Sequence, residues 1–412
     1  MCTVIPFKAL RPKKEFVKDV ASYPYDILDS KEARALAENN PRSFLHVVKA
    51  EIDLPEDVDL YDDRVYEMAR ENFHRFIREG ILIQDSQPCF YVYRQRMGDH
   101  EQCGIVGCAG IDDYNTGRIR KHELTREDKE KDRTKHIDRV NAQTGPVFLI
   151  YRKRPSIDSI VESVITGRPE YDFTADDGIV HTAWIISDGD VIEKIRTEFQ
   201  AVDAFYVADG HHRAASAAAV AKLRGSAGRD DETAPFNYML SVIFPDDQLK
   251  VLDYNRVVRD LNALHTGEFL NRLREDFIVV EDFEKKLPRR SHEFGMYLKG
   301  RWYGLTAKEH LYAGKDVIDQ LDVSILQLHV LAPFLGIGDP RTDERITFVG
   351  GIRGMAELER LVDSGEYAVA FSLFPTTLPE LMNVADSSRM MPPKSTWFEP
   401  KLRSGLFVHL LE

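Results

Sequence analysis

The sequence predicts a mixed α/β fold of the α+β kind, on three observations. Short apolar runs alternate with segments of helical spacing through the first 224 residues. One such run, Ala204 to Ala208, passes through a glycine into an alanine-rich stretch, the pattern of strand, turn and helix. A chain of 412 residues with 43% hydrophobic and 30% charged content also has the composition of a globular protein with a dry core.

Each element has its own signal. Ser30 can cap a helix through Ala37, and Asn40-Pro41 stops it before the β-like run Phe44 to Val48. Apolar positions Val65, Met68, Ala69, Phe73, Phe76 and Ile77 fall at helical spacing and end at Gly80. Strand-like runs follow at 89–94 and 103–111, then a polar helix over 125–141 and a buried strand over 147–151. Residues 179–186 read as a strand and 191–199 as a helix. Gly225 to Ala234 is small and polar, the best linker in the chain. Beyond it, strands are expected at 239–244 and 296–305, and helices at 322–331 and 356–362. The expected organisation is therefore 1–224 as an α/β region, 225–234 as linker, and 235–412 as an α+β region packing back on the first.

Charge narrows the partners. Lys+Arg 55 against Asp+Glu 68 leaves −13, and no long basic run offsets it, so nucleic acid is disfavoured. The densest mixed-charge stretch, 118–139, alternates sign and reads as a solvated helical face. No apolar run approaches the roughly 20 residues of a membrane helix. The first residues lack a basic stretch before an apolar one, so no secretory signal is expected, and four cysteines make no disulfide framework. A cytoplasmic setting fits these readings.

The strongest chemical signal is Asp209-Gly210-His211-His212-Arg213, directly after the apolar run and followed by six residues that are alanine or serine. A helix start carries unpaired backbone N–H groups and about half a positive charge, which favour an anion. Glycine admits close approach, and two imidazoles and a guanidinium are donors suited to phosphate oxygens. Three such groups oppose the helix dipole unless an anion compensates. Asp209 can cap the helix, fix the turn or place a Mg²⁺ ion.

Several segments resemble the family known as domain of unknown function 1015. They are Tyr23-Pro24-Tyr25-Asp26, Lys121-His122-Glu123-Leu124-Thr125, His181-Thr182-Ala183-Trp184, the Asp209–Arg213 turn, and Met391-Pro392-Pro393-Lys394-Ser395-Thr396. The Asp209–Arg213 segment is also similar to the phosphate-binding turn of the ParB/sulfiredoxin superfamily, which includes free-serine kinases, sulfiredoxins and CTP-binding partition proteins. That likeness implies a nucleotide-binding core with phosphate contacts at Gly210, His211, His212 and Arg213, and ATP or ADP as cofactor. His211 stands where the sulfiredoxin turn has a cysteine, and no helix-turn-helix segment of the partition proteins is evident.

Other residues are candidates by type and neighbourhood. Glu123 beside His122 could accept a proton from a substrate hydroxyl or bind magnesium. Arg126 and Arg133, seven apart, share a helical face and could reach an anion. Tyr23, Tyr25 and Asp26 surround a stiffening proline and could line a substrate pocket, and Lys394 sits in a proline-held loop where it could meet a phosphate. His181 reads as a satisfied core histidine.

The expected function is that of a small-molecule phosphotransferase. Gly210, His211, His212, Arg213 and Lys394 would hold the nucleotide, and Glu123, Asp209 and His212 would serve the chemistry. Tyr23, Tyr25, Asp26, His122 and Arg126 would meet a hydroxylated metabolite, free serine being the example the resemblance supplies. Two readings of the same cradle stay open: a nucleotide-binding switch without kinase activity, and a hydrolase or lyase of phosphorylated compounds. A homodimer also stays open.

Overall fold

The computed structural model describes residues 1–226, 231 and 233–412. Two compact units are present. The first comprises Met1–Lys121, Thr125–Leu249 and Pro400–Glu412; the second comprises His122–Leu124 and Lys250–Glu399. Of the expected linker, residues 227–230 and 232 lie outside the described residues. Strand Tyr238–Pro245 belongs to the first unit because it pairs with His100–Gly110 on one side and Val147–Tyr151 on the other.

The first unit is a mixed α/β body around a nine-stranded sheet. Its order is Ile119–Arg120, Phe205–Asp209, Val147–Tyr151, Tyr238–Pro245, His100–Gly110, Phe90–Met97, Val180–Ile186 and Tyr171–Thr174, with Val4–Ile5 also paired to His100–Gly110. Phe205–Asp209 runs parallel to Ile119–Arg120 and antiparallel to Val147–Tyr151. Val147–Tyr151 is buried throughout, as a strand covered on both faces must be, and this explains its unbroken apolar run. A core of Phe90, Val92, Ile105, Leu149, Phe205 and Val207 joins the sheet to Ala214, Ala217 and Val220 of helix His211–Ser226.

A second cluster in this unit gathers Phe44, Phe73, Phe76 and Val408. The run Phe44 to Val48, expected as a strand, is a short helix, Leu45–Val48. Its residues fill the cluster beside helix Asp63–Arg78, and a short apolar run carries no periodicity that separates a buried helix from a strand. Helix Ser30–Ala37 ends at Ala37 as expected but begins at Ser30 itself, and its cap is Asp29 rather than Ser30. The Asp29 carboxylate accepts from the Glu32 amide at 2.7 Å, while the Glu32 carboxylate accepts from the Asp29 amide at 2.9 Å.

The second unit carries a six-stranded sheet in the order Phe277–Glu281, Arg301–Ala307, Glu293–Leu298, Val369–Leu373, Tyr254–Val258, Ile346–Gly350, antiparallel throughout. Helix Met355–Asp363 lays Leu358 and Leu361 against Val257, Tyr297 and Trp302. The run expected as one strand over 296–305 is a hairpin, since Lys299 and Gly300 both take positive φ, at 47° and 78°. The helix expected over 322–331 is α-helical at Asp322–Leu326 and widens to π-helical Gln327–Leu331. All four cysteines are free and buried, and no helix among the described residues is long and apolar enough to cross a membrane.

Candidate functional site

Strand Phe205–Asp209 ends at the Asp209–Arg213 turn, and helix His211–Ser226 begins one residue later. Gly210 makes the pivot at φ +89°, and a Cβ there would lie 2.9 Å from both Cζ and Nε of Arg213. The Ala214 amide donates to the Gly210 carbonyl at 2.9 Å, closing the first helical turn. The amides of His211, His212 and Arg213 are thus the N-terminal ones that the helix cannot bond to itself.

Arg213 points inward. It is 8% exposed and donates from one Nη to Asp209 Oδ2 at 2.9 Å and to Asp26 Oδ2 at 3.5 Å. Its other Nη donates to the Pro146 carbonyl. Burial opposes its charge, but Asp26 and Asp209 outweigh that and raise its pKa above the ordinary guanidinium value. The guanidinium that the sequence suggests for phosphate is therefore spent on two carboxylates and a carbonyl of the same unit.

Asp209 answers the electrostatic demand at the helix start. Its Oδ2 meets Arg213 and its Oδ1 lies 3.8 Å from Lys401 Nζ. Burial resists the charge on this carboxyl, yet Lys401, Arg213 and His211 together hold it well below the usual carboxylate range. The anion that must compensate a cationic helix start is thus built into the chain, in Asp209 and Asp26. Both Asp209 oxygens face cationic side chains, so this donor set does not suit a resident Mg²⁺ ion.

His212 has a defined role in the turn. Its Nε2 accepts a 3.0 Å hydrogen bond from the Arg126 amide, which makes this imidazole neutral with its proton on Nδ1. His211 is buried. Arg126 itself precedes helix Glu127–Val140 and pairs with Asp128. Arg133 is instead paired with Asp132 and sits 4.3 Å over the Tyr25 ring. The two arginines do not share an environment.

The Tyr-Pro-Tyr-Asp segment divides between two clusters. Asp26 reaches Arg213, and Tyr25 lines a cavity of about 30 Å³ with Arg213, Arg133 and Ser404, room for about one water. Burial and the adjacent Asp26 push the Tyr25 phenol up. Tyr23 donates to Asp177 at 2.8 Å and lies 4.0 Å under the Arg403 guanidinium. Arg403 also donates to Nε2 of His181, whose Nδ1 bonds the Tyr93 hydroxyl at 2.7 Å, so His181 is a satisfied core group. A wider cleft, about 1220 Å³, opens along Ala215, Ala218, Ala219 and Lys222 of helix His211–Ser226 and is faced by Lys121, Thr125 and Tyr114.

The second unit brings two sequence motifs together. The Met391 amide donates to the His122 carbonyl at 2.7 Å, and His122 Nε2 lies 3.4 Å from Thr396 Oγ1. His122 is buried and Glu123 partly so. Lys394 is exposed, at φ +56°, and its carbonyl accepts from Arg256 at 3.0 Å.

Sequence reasoning missed Lys401, Arg403, Asp177 and the Pro146 carbonyl. Two of these had a faint signal: Lys401 and Arg403 alternate with apolar residues in a terminal stretch too hydrophobic to be a solvated tail.

Comparison with solved structures finds a free serine kinase in complex with AMP at 17% identity and TM-score 0.38, covering 74% of this chain and 92% of that one. A conserved hypothetical protein from Pyrococcus furiosus follows at 16% and 0.36, covering 74% and 95%. SbnI with C-terminal truncation from Staphylococcus aureus stands at 12% and 0.39, covering 74% and 87%. Comparison with curated proteins finds no match. The chain belongs to the family described as Protein of unknown function (DUF1015), which matches residues 4–324.

Proposed function

We propose that the protein is a small-molecule phosphotransferase that binds ADP or ATP at the Asp209–Arg213 turn and phosphorylates a hydroxylated metabolite, free serine being the first to try. One observation supports this above the rest: a 16-residue helix starts directly off a positive-φ glycine, with its N-terminal amides beside a neutral imidazole donor. Phosphoryl transfer asks mainly for fixed donors around the phosphate oxygens, which these groups supply.

The proposal assigns phosphate contacts to the His211, His212 and Arg213 amides and to the Nδ1–H of His212. Arg213 and Asp209 hold the turn in shape from beneath. The 30 Å³ cavity is too small for a nucleoside. The nucleoside is assigned instead to the wide cleft, because His212, Ala215, Ala219 and Lys222 follow one another on a single helical stripe. Thr125, next to the residue that bonds His212, lines that same cleft. Glu123, expected as proton acceptor, belongs to the second unit. Magnesium would come with the nucleotide, supplying positive charge on its phosphates.

Calorimetric titration with AMP, ADP and ATP tests the binding step, and phosphorus NMR of protein, nucleotide and serine tests the chemistry. A new phosphoester signal is the expected result. Orthophosphate alone would move the assignment to a hydrolase, and absence of nucleotide binding would end the proposal.

A further inference from the structure

The last thirteen residues, Pro400–Glu412, are built into the first unit although they lie beyond the residues 4–324 that the family match covers. Leu402, Leu406, Phe407, Val408 and Leu411 are all buried. Ser404 exchanges backbone hydrogen bonds with Ser22, Val408 does so with Leu10, and His409–Leu410 pairs with Ala142–Gln143. Within this apolar segment Lys401 is only 6% exposed, and it is the residue that reaches Asp209.

Its backbone is anchored by a costly device. Gln95 and Gln102 face each other on neighbouring strands and are 0% and 1% exposed. Gln102 Nε2 donates to Gln95 Oε1 at 3.0 Å, and Gln95 Nε2 donates to the Lys401 carbonyl at 2.9 Å. Two amides inside a sheet core are expensive unless satisfied, and this chain of bonds ends on the main chain of Lys401. On the far side Ser404 lines the cavity that Arg213 borders. Lys401 is thereby held on one side of Asp209 while Arg213 holds the other.

We propose that Lys401 is a positioning residue of the turn: the chain's C-terminal segment delivers a buried ammonium that fixes the direction of the Asp209 carboxylate and so sets the helix start that receives phosphate. The groups facing Asp209 are Lys401, Arg213 and His211, with Asp26 reached through Arg213. Removing Lys401 leaves Arg213 to serve two carboxylates, and the carboxylate of Asp209 is then drawn toward one side. This inference rests on the nucleotide reading only for its binding arm.

The test compares Lys401→Met, Lys401→Arg and Gln95→Leu in the full-length protein by two measurements. In the first, the thermal midpoint is followed from pH 7 downward. Asp209 is held acidic in the folded state, so its stabilisation is present above its unfolded value and is lost on acidification. Lys401→Met should shift that acid loss to higher pH, and Lys401→Arg should restore most of it. In the second, ADP affinity should fall roughly tenfold in Lys401→Met, the scale of one charged contact, with partial recovery in Lys401→Arg. Gln95→Leu keeps the ammonium but unpins its backbone, and should move both readouts the same way by less; it carries the test if Lys401→Met does not fold. An unchanged acid limb overturns the Lys401 proposal whether or not ADP binds. Failure of the parent protein to bind ADP, with the acid limb shifted as expected, overturns the nucleotide reading and leaves Lys401 standing.

Discussion

Replacing Gly210 with alanine tests the turn at its pivot. The backbone there sits at φ +89°, which costs a residue with a Cβ about 1–2 kcal/mol. The new methyl would also lie 2.9 Å from Cζ and Nε of Arg213. A guanidinium at the end of a free side chain would swing aside, but this one is held by Asp209, Asp26 and the Pro146 carbonyl. Moving it sacrifices a charged hydrogen bond, about 1.5–3 kcal/mol. The two effects together predict a loss of about 2.5–5 kcal/mol. Urea unfolding followed by circular dichroism measures it directly. Gly210→Asn separates the terms, since asparagine tolerates positive φ and keeps only the clash. If Gly210→Ala costs less than about 0.5 kcal/mol, the size of an ordinary surface change, the argument that the turn needs a missing side chain is wrong.

Arg213→Ala should destabilise by about 2–4 kcal/mol, somewhat below a fully buried pair because Asp209 and Asp26 keep some water, and a urea midpoint will show it. Stability should fall between pH 6.5 and 4: burial pushes His136 and His409 down to about 4 and His181 down to about 3, so the unfolded chain takes up protons that the folded one refuses. His136→Gln should flatten that slope by up to about 1.4 kcal/mol per pH unit, read from urea midpoints at each pH. Phe407→Ala should cost about 3–5 kcal/mol in the same assay, because the ring is 2% exposed and packs 4.9 Å from that of Tyr91.

The elements most legible in the sequence were those with a long period or a sharp stop. Val147–Tyr151 has the bounds its pattern implies, Ser30–Ala37 ends where its pattern implies, and helix Asp63–Arg78 extends the expected one by a residue or two before Gly80 at φ +63°. Phe44 to Val48 was not legible, since four buried apolar residues around a half-buried histidine satisfy a strand as well as a helix until their neighbours are known. The hairpin over Glu293–Leu298 and Arg301–Ala307 carried a usable signal in Lys299-Gly300, a turn pair inside an apolar run. At the candidate site the turn was legible as strand, glycine and helix, while the direction of Arg213 was not.

By itself the sequence determined the pivot. A glycine between a buried strand and a helix-forming stretch leaves the backbone few alternatives, because steric exclusion and helical periodicity act between near neighbours. Tertiary structure alone decided what the turn's charges do. Asp26 and Lys401 come from opposite ends of the chain to meet Arg213 and Asp209, and no local pattern encodes a partner that only the folded sheet brings within reach of an ion pair.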